Sequence, residues 1–210
     1  MNPAQKLALW ADKLRDISAM GLHFVRNRYD EDNYKNIQTI AMEMLALATN
    51  GALADMEPLR APVFARPTPM TVGDGAVIDE NGRILLIQRA DNGKWALPGG
   101  ALEVGETPAA GVVREILEET AVATAPVALI GIHDSRLCGS QTRHHLYHIL
   151  FLCRPVQVGN PRTASHAEEV LAVDWFSADE LPNNLDEGHK TRIPEAFRVW
   201  RGDLCAYFDA

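Results

Sequence analysis

Three glutamates, Glu115, Glu118 and Glu119, stand beside a single arginine, Arg114. On a helix advancing about 100° per residue, the latter two lie within about 60° of Glu115, so the three carboxylates share one face. Glu115 and Glu119 are four residues apart, and like charges at that spacing cost a helix about 0.2–0.5 kcal/mol. A solvated acidic face is the bland reading of such a cluster. Its weakness is that only Arg114 lies close enough in sequence to offset the repulsion. A hard divalent cation removes the penalty, and carboxylate oxygens are the ligands that magnesium and manganese prefer. The other side of the same helix, between about 100° and 220°, carries Ala109, Ala110, Val113, Ile116 and Leu117. Gly111 falls on the acidic face, where a glycine costs about 1 kcal/mol relative to alanine. A position without a side chain there leaves room for a phosphate or a loop.

The spacing is specific. Gly100, Glu106, Arg114-Glu115, Ile116, Glu118-Glu119 and Val122 match the box GX5EX7REUXEEXGU, with U a bulky aliphatic residue, and the segment resembles the Nudix hydrolases. Leu85–Arg89 and Trp95–Gly100 look like the strand and loop that lead into that box, and the resemblance covers about residues 70–200. It implies a Nudix-type α/β/α sandwich with a mixed β-sheet, and hydrolysis of a pyrophosphate bond. It also implies that Glu115, Glu118 and Glu119 hold Mg2+ or Mn2+, with the Gly100 carbonyl as a further ligand. Arg114 orients the glutamates and Glu106 supports the turn into the helix. Ala121 departs from the box, standing where the family has glycine. Alanine there either accepts a left-handed conformation at about 1 kcal/mol or the chain turns differently.

In many members a glutamate before a late strand assists as base or ligand; here Glu168 and Glu169 are the candidates, with Glu169 preferred. Arg89, Trp95 and Arg143 are the candidate substrate contacts, alongside Lys94, His144 and His145. On an extended strand His144 and His148 share one face, and His145 and Tyr147 the other. A strand histidine is more often structural than a ligand.

These groups need a scaffold. Strand-like runs occur at Met70–Ile78, Arg83–Gln88, Val127–Ile132, His145–Cys153 and Val170–Phe176, with helices at about Pro108–Thr120 and Arg192–Asp203. Asn81-Gly82 between the first two runs signals a hairpin. Strands interrupted by two helices imply a mixed sheet covered on both faces. Ahead of them lie two helices. One spans about residues 3–20 and ends at Gly21; the other runs from an Asp30 N-cap to Thr49. Pro58, Pro62, Pro67 and Pro69 then argue against helix or central strand. The expected division is a helical extension at 1–58, a Pro-rich linker at 59–69 and the Nudix domain at 70–205.

The extension, from Trp10 to Leu45, is similar to that of a bacterial Nudix subgroup. That subgroup hydrolyses CDP-choline and ADP-ribose and tends to dimerise, so the resemblance implies a homodimer. The favoured substrate is a nucleoside diphosphate joined to a group X. The rival enzyme reading is a house-cleaning triphosphate hydrolase; a rival of another class is a catalytically silent nucleotide sensor. The proline or tyrosine that marks some subfamilies after the box is missing from Leu137-Cys138-Gly139. A net charge of −8 opposes nucleic-acid binding. No apolar run reaches the roughly 18–20 residues that span a bilayer, and no signal peptide opens the chain, so a cytoplasmic protein is expected. Cys138, Cys153 and Cys205 read as reduced packing thiols.

Overall fold

The computed structural model describes residues 1–65, 69–139, 145–156 and 169–209. It divides into two compact units, Met1–Thr68 and Pro69–Ala210.

In the first unit, α1 spans Pro3–Phe24 and α2 spans Arg28–Ala48. Asn2 and Gln5 form a reciprocal capping box at the start of α1. Gly21 does not end that helix. It lies inside it, where an added Cβ would stand 2.2 Å from the Tyr34 ring, so its role is to let the two helices approach. The α2 N-cap is Asn27 rather than Asp30, and its side chain accepts from the Asp30 N–H at 2.9 Å. Up to Phe64, the Pro-rich stretch is more regular than its proline content predicts. After α3 (Leu53–Met56), a 3-10 turn at Glu57–Leu59 and a π-helical turn at Arg60–Phe64 continue the chain. Pro58 and Pro62 fit because first-turn N–H groups have no partner within a helix anyway. Phe64 is buried with Ala41 and Met42, giving this unit its own core.

In the second unit, β1 (Met70–Val77) is an interior strand of a five-stranded mixed sheet. It pairs antiparallel with β4 (Gly99–Ala101) and parallel with β6 (Leu146–Pro155). Beyond β6 follow β5 (Thr124–Asp134) and β8 (Tyr207–Phe208). A second sheet places β2 (Arg83–Arg89) between β3 (Trp95–Ala96) and β7 (Val170–Ser177). The Asn81-Gly82 turn forms, with Gly82 at φ 74° and its N–H on the Asp79 carbonyl. Yet β1 and β2 share one bridge, Ile78 with Ile84, and then part into separate sheets. Each has better partners than the other.

Alternation along the strands builds two cores. Val77, Leu85 and Cys153 pack under Val112 and Ile116 of α4 (Pro108–Thr120). Their neighbours Ala76, Ile84, Leu86 and Leu152 pack under Ile193, Ala196 and Phe197 of α5 (Glu187–Trp200). Helices therefore cover both faces, an α/β/α sandwich. The last helix begins before Arg192, with Asp186 as N-cap, and Pro194 lies within it. No described helix is long and apolar enough to cross a membrane.

Candidate active site

The acidic helix is positioned from its N-terminus. Thr107 caps α4, accepting from the Ala110 N–H at 3.2 Å, and Pro108 opens it. Arg114 then gathers the turn and the helix. Its Nη2 and Nε donate to the two Glu106 oxygens at 2.9 and 3.1 Å, and its Nη1 donates to Glu115 at 2.8 Å and Glu118 at 3.1 Å. Glu106 also accepts from the Glu103 N–H at 2.7 Å. Gly111 leaves room for that carboxylate and for Leu102, each 2.5 Å from an added Cβ. The loop, not a phosphate, fills this space. At Gly100 a Cβ would lie 2.6 Å from the Glu115 carboxyl carbon, so glycine is what admits the carboxylate against β4.

The helix is rotated from what its apolar pattern predicts. Val112, Ile116 and Thr120 are buried together with Glu119, while Leu117 is 48% exposed. Glu119 is 7% exposed and accepts from the Gly99 N–H at 2.8 Å. Burial pushes its pKa up to about 8 against that hydrogen bond, aided by the charges of Glu115, Asp74 and Glu169. Burial likewise raises Glu115, although Arg114 opposes it. At the helix end Ala121 adopts φ 56°, the left-handed conformation, with its N–H on the Leu117 carbonyl.

Glu119 also lines a cavity of about 650 Å³, whose other charged or histidine side chains are Asp74, Arg89, Asp91, His148, Glu169 and His189. The backbone carbonyl of Glu169 accepts from the Ala90 N–H at 2.8 Å, fixing it beside the end of β2. Arg89 forks onto Asp91 at 3.0 and 2.7 Å. Behind the cavity, Asp74 and Arg192 form a buried ion pair. Burial alone would raise the Asp74 carboxyl, but Arg192 and then His148 hold it well below the usual carboxylate range. His189 accepts from the Leu97 N–H at 3.2 Å, and burial holds its pKa well below the usual range.

Of the residues expected from the sequence, the structure thus brings Glu119, Glu169 and Arg89 to one cavity. It gathers Glu106, Arg114, Glu115 and Glu118 into one ion-pair cluster beside Gly100. Trp95 packs edge-on against Phe176 at 4.9 Å and is not a cavity-lining residue. Arg143, His144 and Glu168 lie outside the described residues. Sequence reasoning missed Asp74, His189 and Arg192. A signal existed for Asp74: a carboxylate within an apolar strand must find a buried partner.

Among the described residues, no three acidic, histidine or cysteine side chains converge in a metal-holding group; Arg114 engages Glu115 and Glu118 instead. The donor set nevertheless suits a hard divalent cation. It is all oxygen, and burial first, then neighbouring carboxylates, raise the pKa of Glu115 (Glu118 and Glu106) and of Glu119 (Glu115, Asp74 and Glu169), in the way an added positive charge would reverse.

The NUDIX domain model matches residues 70–196. The chain belongs to the Nudix family. A second model, the UDP-X-like, N-terminal oligomerisation domain, matches residues 5–59. A MutT-like protein of Streptomyces ambofaciens is 39% identical over 58% of this chain and 73% of its own length. An ADP-ribose pyrophosphatase of Methanocaldococcus jannaschii is 35% identical over 63% of this chain and 75% of its own length. The solved structure of a UDP-X diphosphatase superposes with a TM-score of 0.62, covering 98% of this chain and 99% of that one. At 24% identity that match establishes the shared fold. The protein is a Nudix hydrolase, with pyrophosphatases among its relatives. Nudix hydrolases generally use divalent metal ions.

Proposed function

We propose that this Nudix hydrolase cleaves the pyrophosphate of a nucleoside diphosphate linked to a second group, such as ADP-ribose or CDP-choline, releasing a nucleoside monophosphate. The observation that carries this reading is the cavity of about 650 Å³ meeting both Glu119 and Glu169. It falls within the roughly 300–1,000 Å³ of small-molecule sites and leaves space for groups beyond the scissile bond. The names of the pyrophosphatase relatives support the same class.

Glu115, Glu118 and Glu119, with the Gly100 carbonyl, are the groups to hold Mg2+ or Mn2+. Such an ion, when bound, polarises the phosphoryl oxygens and lowers the pKa of an attacking water. Arg114 orients Glu115 and Glu118 and is itself braced by Glu106. The Gly99 N–H aims Glu119. Glu169 takes the proton of the attacking water, and Arg89, released from Asp91, meets a phosphate. Arg143 stays assigned to the substrate from sequence alone, and Trp95 is left to packing.

The extension at 1–58 joins two chains as a homodimer, and residues 59–69 connect it to the domain at 70–205. The three free cysteines suit a reducing cytoplasm. A substrate panel with product identification tests the reading. ADP-ribose or CDP-choline should show higher kcat/KM than any nucleoside triphosphate, and Glu169→Gln should slow turnover at least about tenfold. A triphosphate as best substrate, releasing pyrophosphate, overturns it.

A further inference from the structure

Glu119 is aimed by a backbone amide, so whatever fixes that amide fixes the carboxylate. The Gly99 N–H donates to Glu119 at 2.8 Å. Gly99 is pressed onto β1, where an added Cβ would stand 2.2 Å from the Gly73 carbonyl oxygen. Its register partner on that strand is Asp74, and the preceding Pro98 carbonyl accepts from the Gly75 N–H at 2.9 Å. Pro98 has a fixed φ and confines Leu97 to extended backbone, so Leu97-Pro98-Gly99 is a stiff unit.

One helix holds both this unit and the strand beneath it. From α5, the buried His189 takes the Leu97 N–H on Nδ1 at 3.2 Å. One turn later, Arg192 pairs with Asp74 and donates its Nε–H to the Gly188 carbonyl at 2.7 Å. His189 Nε2 lies 3.1 Å from Arg192 Nη2, and a neutral imidazole accepts at only one of its nitrogens. A backbone amide has a single proton to place, whereas a guanidinium has five. Leu97 is a buried residue, and leaving its amide without an acceptor is the costlier choice. Nδ1 is therefore the accepting nitrogen, and Nε2 carries the ring proton.

We propose that His189 is a positioning residue for the metal site: by holding the Leu97 amide it sets the Gly99 N–H that orients Glu119. This rests on the reading of Glu119 as a cation ligand, but not on which nucleotide is preferred.

The test compares the full chain with two variants of opposite geometry. In His189→Asn the amide oxygen falls near the place of Nδ1 and still accepts from Leu97; in His189→Gln the amide falls near Nε2 and does not. In metal-free wild type, a long-range proton–nitrogen spectrum should show His189 Nδ1 unprotonated, and the Gly99 amide should be protected from solvent exchange. His189→Gln should speed that exchange at least about tenfold, the effect of losing a hydrogen bond to a charged group. Calorimetric titration with Mn2+ should show the dissociation constant rising about tenfold, the low end of what disturbing the groups behind metal ligands costs. His189→Asn should keep the Gly99 protection and bind Mn2+ within about twofold of wild type. A protonated Nδ1 in wild type, a result that needs no variant to fold, overturns the proposal. So does a rise in KM for ADP-ribose in His189→Gln with Gly99 exchange and Mn2+ affinity unchanged, which would make His189 a substrate contact. Equal behaviour of the two variants overturns it as well. If wild type binds no Mn2+, the cation reading fails, and Gly99 exchange still decides what His189 holds.

Discussion

Arg114 grips Glu106 with two guanidinium nitrogens, Nη2 at 2.9 Å and Nε at 3.1 Å from its carboxylate oxygens, while Nη1 reaches Glu115 and Glu118. One planar side chain ties the loop before α4 to two carboxylates on it. Lysine carries a point charge and cannot span this fork. Arg114→Lys is expected to lower kcat/KM about 10–100-fold, the usual effect of losing a group that orients metal ligands. Circular dichroism should stay unchanged, since Arg114 lies outside both hydrophobic cores. Activity within twofold of wild type would show the fork to be dispensable.

Glu119 makes the stability of the metal-free protein depend on pH. Its pKa rises from 4.5 to about 8 on folding, so the folded state binds the extra proton and loses that advantage as pH rises through 8. Two histidines act oppositely: burial lowers His133 from 6.5 to about 4 and His189 well below 6.5. Their contribution increases with pH and is complete above 6.5. Between pH 6.5 and 8 the Glu119 effect stands alone among these three. Melting temperatures in excess EDTA should therefore decline over that window, and Glu119→Gln should flatten the decline. Added Mg2+ should stabilise wild type more at pH 8 than at pH 6.5, because it favours the ionised carboxylate. A metal-free protein that gains stability from pH 6.5 to 8 contradicts the assignment.

Ala121 accepts φ 56° where glycine would be at ease. The family box led to that choice between strain and a different turn, and the backbone takes the strain. Removing it should be favourable by about 1 kcal/mol. Ala121→Gly is expected to raise the melting temperature by about 2–4 °C. An unchanged or lower value in a reversible melt would mean that the added freedom of the unfolded chain outweighs the relieved contact.

How much of this was legible in the sequence depended on distance along the chain. The order of elements and the Arg114 cluster follow from spacings within about 15 residues, which helical and strand periodicities encode directly. The rotation of α4 was not legible. Periodicity alone buries Leu117, whereas the Gly99 N–H, twenty residues earlier, draws Glu119 inward. The polar wall of the cavity was beyond reach for the same reason. Arg192 meets Asp74 across 118 residues and His148 across 44, and no local pattern announces such pairs. The Asn81-Gly82 turn marks a limit of another kind. A turn signal specifies the reversal, but the strands leaving it pair with whichever neighbours the rest of the sheet provides.

The N-terminal unit leaves an apolar seam on its own surface. On α1, Trp10 and Ile17 are seven residues apart and 46% and 52% exposed. On α2, Ile40 and Leu47 repeat that spacing at 49% and 69% exposure. Apolar side chains at intervals of seven fall on one stripe, the pattern by which helices of separate chains interdigitate. They are distinct from the residues that hold the unit together, Ala41, Met42 and Phe64. Two copies meeting through these stripes would form a four-helix arrangement of the kind short antiparallel helix pairs build. Charges placed in the seam should then break the assembly without unfolding the unit. Ile17→Glu combined with Leu47→Glu is expected to halve the mass measured by light scattering, with helical content by circular dichroism retained. Trp10 fluorescence should shift to longer wavelength as its ring becomes wet. A wild-type chain that is already monomeric at micromolar concentration would sink the dimer, and an unchanged mass in the double variant would move the interface off this seam.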